Sequence, residues 1–426
     1  MPPDTFTDEY RDELARCTQC GKCRAVCPVF LKTQEEALVA RGRLSILRLW
    51  SEGRLEEDEE FERSLWSCIK CFRCVQECPS QVNPPRLVYR SIAALTRGGG
   101  TSWLSRLVLR QVVVRRRLFD RVMRVVSLLE RLLPGRSHGR LRHLPLFFKG
   151  EKSLPQLVFP TALMRYGTHE PPHTPAGSSK GIVAIFTGCL INYAYPHLIG
   201  KAIRLIEACG YTAWVPAAQV CCGTPALSVG DTEAVRRSAM RNTLVFSGHE
   251  LRRIIVLCAS CGRMLKSEYA GMGSKETAAL SDKVSDISEF LFSENIDLEY
   301  NDEETVTYHD PCHLIWGQGI SRQPRELLKR AATLREHSGS RECCGGGGLF
   351  GFYYPELSAM LGDSKLKNIA DTGTPTVVTG CPGCMMQLSD RAENLGMPLR
   401  VKHTVEVLAG HLGKGRTKAE GVRHHG

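Results

Sequence analysis

Eighteen of the 19 cysteines fall into tight groups whose spacing points to metal chemistry rather than to disulfides. CTQCGKCRAVCP (17–28) and CIKCFRCVQECP (68–79) both follow C-x2-C-x2-C-x3-C-P, each cysteine of the second block lying 51 residues after its counterpart. Thiolates on such short loops can wrap an iron–sulfur cluster, and in two-cluster arrangements the fourth cysteine of each run ligates the other cluster. The spacing therefore assigns Cys17, Cys20, Cys23 and Cys78 to one [4Fe–4S] cubane, and Cys68, Cys71, Cys74 and Cys27 to a second. Lys22, Arg24, Lys70 and Arg73, inside the loops, would offset the negative charge of four thiolates. C-x2-C is also a zinc spacing, but a pair of zinc sites gives no reason for C-x3-C-P.

The other ten cysteines form two sets in one order: Cys189, Cys221-Cys222-Gly223 and Cys258-x2-Cys261, then Cys312, Cys343-Cys344-Gly345 and Cys381-x2-Cys384. A four-coordinate zinc has no use for a fifth thiolate. Five ligands with a vicinal pair suit an opened cluster in which one sulfur bridges, either Cys221 or Cys222 in the first set and Cys343 or Cys344 in the second. The glycine after each pair removes a Cβ where backbone would approach the cluster. Gly345–Gly348 is not a dinucleotide-binding loop, because its spacing and context differ from G-x-G-x-x-G. His309 and His313 flank Cys312 and are candidates for proton relay, weighed against plain packing beside a ligand loop. Met385-Met386 reads as core, as does the lone Cys209.

The two sets are an internal duplication. Cys189 maps to Cys312 at an offset of 123, the vicinal pairs map at 122, and both C-x2-C elements map at 123. Strand-like segments at 182–186, 212–215 and 254–258 alternate with helical patterns at about 194–208 and 228–247. The same alternation returns after 305, with helices near 324–334 and 355–371 and the strand TVVTG before Cys381. Strands alternating with helices predict two pseudo-symmetric α/β lobes. Upstream, 34–49 reads as a helix between the two N-terminal cysteine blocks.

At 426 residues, with 42% hydrophobic and 24% charged residues, the chain is ordinary for a globular protein of two or three domains. The N-terminus has no apolar signal core, and no apolar run reaches the ~18 residues that span a bilayer. The net charge of +11 arises between Arg97 and Gly150, where thirteen Lys/Arg face only Asp120 and Glu130. This single basic segment is not a nucleic-acid-binding composition. Leu118, Val122, Val125, Leu129 and Leu132 recur at helical period there. Either that stripe packs on the C-terminal domain, or the segment docks on an anionic membrane or an acidic partner. Arg115, Arg116 and Arg117 cannot share one helix face, which favours a broad electropositive surface. Prolines and the Gly-Ser-Ser run make 159–180 a linker.

Together YHDPCH (308–313), ECCGGGG (342–348) and GCPGCMMQL (380–388) resemble the CCG domain of the heterodisulfide reductase superfamily, which binds noncubane [4Fe–4S] clusters. Fused to a two-cluster ferredoxin segment, the chain is similar to the iron–sulfur subunits of glycolate or lactate dehydrogenases and to heterodisulfide reductase catalytic subunits. The C-x2-C elements are incomplete in the glycolate oxidase type and complete here, which pulls toward the reductase side. The resemblance implies α/β plus α architecture: a two-[4Fe–4S] helical ferredoxin domain (1–96), a basic helical segment and linker (97–180), CCG lobes (181–300 and 301–412) and a disordered tail (413–426). It implies an electron-transfer subunit taking electrons from a flavoprotein dehydrogenase, or an electron-transfer flavoprotein, to a quinone or other carrier. The dehydrogenase would oxidise a 2-hydroxy acid such as glycolate or lactate. Catalysis of disulfide reduction at the noncubane clusters is the alternative. One or two such clusters are expected, with zinc possible in one lobe. The expected location is the cytoplasm, with peripheral contact to the inner face of the membrane or a quinone-reducing partner.

Overall fold

The structure, a computed structural model, describes residues 7–96, 115–132, 136–137, 140–141, 154–172 and 179–413. The basic segment is therefore described only in part, and from residue 414 the expected tail lies outside the described residues.

The N-terminal region is helical, as its pattern predicts: α1 (Asp8–Ala15), α2 (Pro28–Thr33), α3 (Ala40–Ser51), α4 (Glu59–Trp66), α5 (Arg73–Gln76) and α6 (Pro84–Leu95). Side chains of Thr7, Asp58 and Asn83 accept from the first-turn N–H groups of α1, α4 and α6, satisfying donors that have no intrahelical partner. Leu47, Trp50, Phe61, Leu65, Leu87 and Ile92 form the buried core. The helix expected over 34–49 begins only at Ala40. Gln34 takes φ +58 and closes α2, and Glu36–Leu38 makes one 3-10 turn before α3 starts.

Next comes α7 (Arg116–Leu132), which carries the predicted apolar spacing. The expectation that this stripe packs on the C-terminal domain is corrected, since Val122, Val125 and Leu129 are 38, 55 and 55% exposed. The packed face is polar and aromatic instead. Arg116 pairs with Asp120 at 2.9 Å, Tyr193 donates its hydroxyl to Asp120 at 2.7 Å, and Phe119 meets the Tyr193 ring edge-on. Within the expected linker, Ala162–Tyr166 forms a short helix whose Ala162 and Leu163 are buried.

The first lobe contains β1 (Ile182–Phe186), α8 (Gly188–Ala194), α9 (His197–Ala208), β2 (Thr212–Trp214), α10 (Thr232–Phe246), β3 (Leu251–Val256), α11 (Ala259–Arg263), β4 (Val284–Asp286) and α12 (Ile287–Ser293). The second contains β5 (Asn301–His309), α13 (Cys312–Gln318), α14 (Arg322–Ala331), β6 (Ala332–Leu334), α15 (Pro355–Ala370), β7 (Thr376–Thr379), α16 (Pro382–Asn394) and β8 (Arg400–His403). Each lobe is built on a four-stranded parallel sheet, in the orders β2-β1-β3-β4 and β6-β5-β7-β8. The duplication read from cysteine offsets is thus also a duplication of topology. Val183, Ile185 and Ile255 share one core with Val306, Tyr308 and Val378, so the two lobes are welded through apolar side chains.

In open parallel sheets the crevice beyond the strand C-termini, where strand order reverses, is the natural ligand site. Cys189 and Cys258 follow β1 and β3, and Cys312 and Cys381 follow β5 and β7, the adjacent central strands of each lobe.

Candidate iron–sulfur centres

The two N-terminal loops repeat their backbone as well as their cysteines. Gln19 and Lys70 take φ +57 and +55, and Gly21 and Phe72 take +81 and +64, each pair 51 residues apart. Left-handed residues turn the backbone around a central point, so the three cysteines of each loop converge. Cys17, Cys20, Cys23 and Cys78 line one small cavity of about 30 Å³, with Cys74 on its wall. Cys27, Cys68, Cys71 and Cys74 line a second of about 20 Å³.

Burial pushes the Cys71 and Cys74 thiols well above their ordinary range. Thiolates are unfavourable there unless a cation offsets them, as a bound metal would. Lys70 is itself buried between the Trp66 and Tyr89 rings, and that burial lowers its ammonium to about 8. Among the described residues, one three-donor set lies within 4.8 Å of one another, His309, Cys344 and Cys384, and it belongs to the second lobe.

In the C-terminal domain both cysteine sets open onto one cavity of about 190 Å³ between the lobes, lined by nine of the ten cysteines, Cys221 apart. Cys221 lies 4.0 Å from Cys189, and Cys261 lies 3.4 Å from Cys222. Cys221 and then Cys261 hydrogen-bond the Cys222 sulfur and hold its thiol well below the usual range. Cys343 and Cys384 do the same to Cys344. The second cysteine of each vicinal pair is therefore central in its set, and the Cys381 thiol is held low in the same way, by Cys258 and then Cys384. Cys258 and Cys381 meet across the lobe boundary, hydrogen-bonded to one another.

Gly223 and Gly345 take φ +96 and +85, left-handed backbone that disfavours a side chain. At Gly345 packing adds a second constraint, since a Cβ would lie 2.5 Å from the Ser358 carbonyl oxygen.

The loop holding Cys71 docks directly on the lobes. Ile69, Cys71 and Cys343 are buried in one apolar cluster, with Cys27 and Cys312 packed against it. The Arg263 guanidinium sits 3.9 Å over the Phe72 ring, Gln76 donates to the Trp316 carbonyl at 3.1 Å, and a Cβ on Gly347 would strike Ile69 at 2.5 Å. Phe72 keeps its left-handed backbone inside these contacts. At the far side, Arg116 and Phe119 of α7 close a small cavity over Cys189 and Cys221.

His309 and His313 have unlike surroundings. His313 bridges the Lys70 carbonyl and the Ser260 hydroxyl, at 3.0 and 2.9 Å, and burial lowers it to about 4. It is a neutral structural bridge. His309 is fully buried, and among the described residues neither ring nitrogen makes a hydrogen bond of good geometry. Met385 is core, whereas Met386 lines the shared cavity.

Sequence spacing did not reveal the residues that hold the first-lobe vicinal loop. Asn242 accepts from Val220 N and donates to the Cys221 carbonyl, and Tyr269 donates to the Cys222 carbonyl at 2.9 Å. Their signal is tertiary, because no motif surrounds either residue.

Comparison with known proteins agrees with this layout. A Cysteine-rich domain family (CCG) matches residues 183–266 and again 306–389, and a 4Fe-4S dicluster domain matches 13–82. The chain is 29% identical to the probable glycolate oxidase iron-sulfur subunit of Bacillus subtilis, covering 94% of this chain and 95% of that one. It is 27% identical to a subunit of the fumarate reductase (CoM/CoB) of Methanothermobacter marburgensis, over 94% of this chain and 73% of that one. With a subunit of the dihydromethanophenazine:CoB–CoM heterodisulfide reductase of Methanosarcina barkeri it shares 23% identity, over 94% of each. The all-thiol donor sets, the paired loop geometry and both family matches fit iron–sulfur clusters. The chain thus carries a 4Fe-4S dicluster domain followed by two CCG cysteine-rich domains.

Proposed function

We propose that this chain is the electron-transfer subunit of an oxidoreductase complex, taking electrons from a flavoprotein dehydrogenase of a 2-hydroxy acid and delivering them to a quinone or other carrier. The observation that carries the reading is the buried contact of Cys27 and Cys71 with Cys312 and Cys343. It joins the dicluster loops to the CCG lobes through packed side chains. Bound clusters would supply reversible one-electron chemistry that no side chain of the protein offers.

The cysteines carry distinct tasks in this reading. Cys17, Cys20, Cys23 and Cys78 would hold one cubane and Cys68, Cys71, Cys74 and Cys27 the other, in keeping with the two cavities they line. Cys189, Cys221, Cys222, Cys258 and Cys261 would hold a noncubane cluster, and Cys312, Cys343, Cys344, Cys381 and Cys384 a second, with Cys222 and Cys344 as the bridging sulfurs. Zinc in one lobe would leave a three-cluster wire. The Lys70 ammonium, the Arg43 guanidinium bound to Ser64 and Ser67, and α7 over Cys189 place positive charge beside anionic centres and exclude water from them.

The dehydrogenase reading draws on the likeness to a glycolate oxidase iron-sulfur subunit. The sequence itself holds no flavin or nicotinamide fingerprint, so substrate oxidation falls to a partner. No described helix is long and apolar enough to cross a membrane. The exposed Val122, Val125 and Leu129, interleaved with the exposed Arg121 and Arg124, suit peripheral attachment to an anionic cytoplasmic membrane face.

A second reading, disulfide reduction between the lobes, is favoured by one feature: both cysteine sets face the same cavity. Affinity purification of the complex from its native cell separates the two. The proposed function expects a flavin-bearing partner and dye reduction driven by glycolate or lactate. A haem-bearing membrane partner with disulfide-dependent oxidation would support the second reading instead.

A further inference from the structure

The lobes are duplicates in topology but not beside their cysteines. Three residues before Cys189 stands Phe186, buried against Phe246; three residues before Cys312 stands His309. Both are the last residues of the first strand in their lobe, β1 and β5. The same backbone position thus presents an apolar ring to one centre and an imidazole to the other.

His309 is 0% exposed, and among the described residues neither ring nitrogen makes a hydrogen bond of good geometry. A buried imidazole left unpaired is unfavourable, so a partner for its N–H is expected. Two sulfurs lie near its ring, one nitrogen being within 4.8 Å of both the Cys344 and Cys384 Sγ atoms. Five cysteines already complete the proposed ligand set of this lobe, so the ring is better placed as a donor to sulfur than as a further ligand. Hydrogen bonds to ligating sulfurs favour the reduced, more anionic state and raise the reduction potential.

We infer that His309 is a positioning residue that donates an N–H to the Cys344/Cys384 sulfurs, so that the second-lobe centre has the higher reduction potential and is the terminal electron sink of the chain. This rests on the cluster assignment above. It gives the wire a direction, because the second lobe is also the one that Cys71 contacts.

The test uses the anaerobically isolated full chain, with histidine labelled with 15N. Iron, sulfide and zinc are quantified, and the second-lobe EPR signal is assigned as the one lost in Cys344→Ser. A weakly coupled histidine nitrogen in the pulsed-EPR spectrum of that signal is the expected result. His309→Phe, which installs the first-lobe residue, should abolish the coupling and shift that centre alone to lower potential. His309→Gln, which keeps an N–H donor, should restore most of the shift. An iron-replete second lobe with no histidine coupling overturns the inference while leaving the cluster assignment intact. The strong coupling of a directly bonded nitrogen overturns it equally. Zinc in the second lobe removes both. If His309→Phe fails to assemble, the wild-type nitrogen measurement decides alone.

Discussion

The Nε2 of His313 lies 3.0 Å from the carbonyl oxygen of Lys70, and its Nδ1 lies 2.9 Å from the Ser260 hydroxyl. A carbonyl only accepts, so Nε2 carries the proton and Nδ1 accepts from Ser260. One side chain of the second lobe thereby ties the Cys68–Cys74 loop to the Cys258–Cys261 loop of the first lobe. Three cysteine groups meet at one imidazole.

Removing that bridge should loosen the junction without emptying the centres. His313→Ala is expected to destabilise the protein by about 1–3 kcal/mol through the two orphaned partners. Iron content should stay near wild type while electron passage from the N-terminal centres to the lobes slows. Gly347→Ala should act likewise, because its Cβ would collide with Ile69 and its φ of +43 disfavours a side chain. Stopped-flow reoxidation and thermal melts read both effects, and unaltered kinetics in both variants would remove the junction from the electron path.

The crossed assignment of the fourth cysteines has a distinctive consequence. Cys27→Ser should perturb the centre built on Cys68, Cys71 and Cys74, whereas Cys78→Ser should perturb the one built on Cys17, Cys20 and Cys23. EPR of the two variants distinguishes them. Damage to the centre of the mutated block in each case would show that the fourth cysteines are not exchanged.

The two halves of the chain were legible to different depths. Repeated offsets of 51 and 123 exposed both duplications, and the buried runs IVAIF and TVVTG gave their strands directly. The strands at Val284–Asp286, Ala332–Leu334 and Arg400–His403 were not foreseen, because three or four residues of mixed polarity carry no period. The inward turn of α7 was also hidden. Its hydrophobic spacing was real, but Asp120 and Phe119 found Tyr193, so the polar and aromatic face won the contact. Spacing likewise could not separate His309 from His313, whose difference lies entirely in what surrounds each ring.

Stability should depend on pH through Asp286, which is fully buried and caps α12. Burial raises its carboxyl to about 7 from an unfolded value near 4. The folded state then holds a proton that the unfolded state has released, so this stabilisation is complete below pH ~4 and is lost as pH rises through 7. Between pH ~5.5 and ~8 the unfolding free energy should fall by up to about 2 kcal/mol. Asp286→Asn should flatten that slope in urea titrations at fixed cluster content, and an unchanged slope would count against it.

Membrane attachment by α7 should be electrostatic and reversible. Cosedimentation with anionic vesicles is expected at low salt, weakening as salt rises. A variant with Arg117, Arg121 and Arg124 changed to Gln should lose it. If the folded wild type stays in the supernatant at low salt, attachment through this helix is wrong.

The central claim is that electrons can cross from the dicluster loops into the CCG lobes, and this requires redox centres on both sides. An EPR-monitored reductive titration of the anaerobically purified chain, with its iron, sulfide and zinc counted, tests it most directly. The account predicts about 12–16 irons with matching sulfide, two interacting cubane signals, and at least one further signal that disappears in Cys344→Ser. Zinc in both lobes, with iron confined to the N-terminal cysteines, would contradict it.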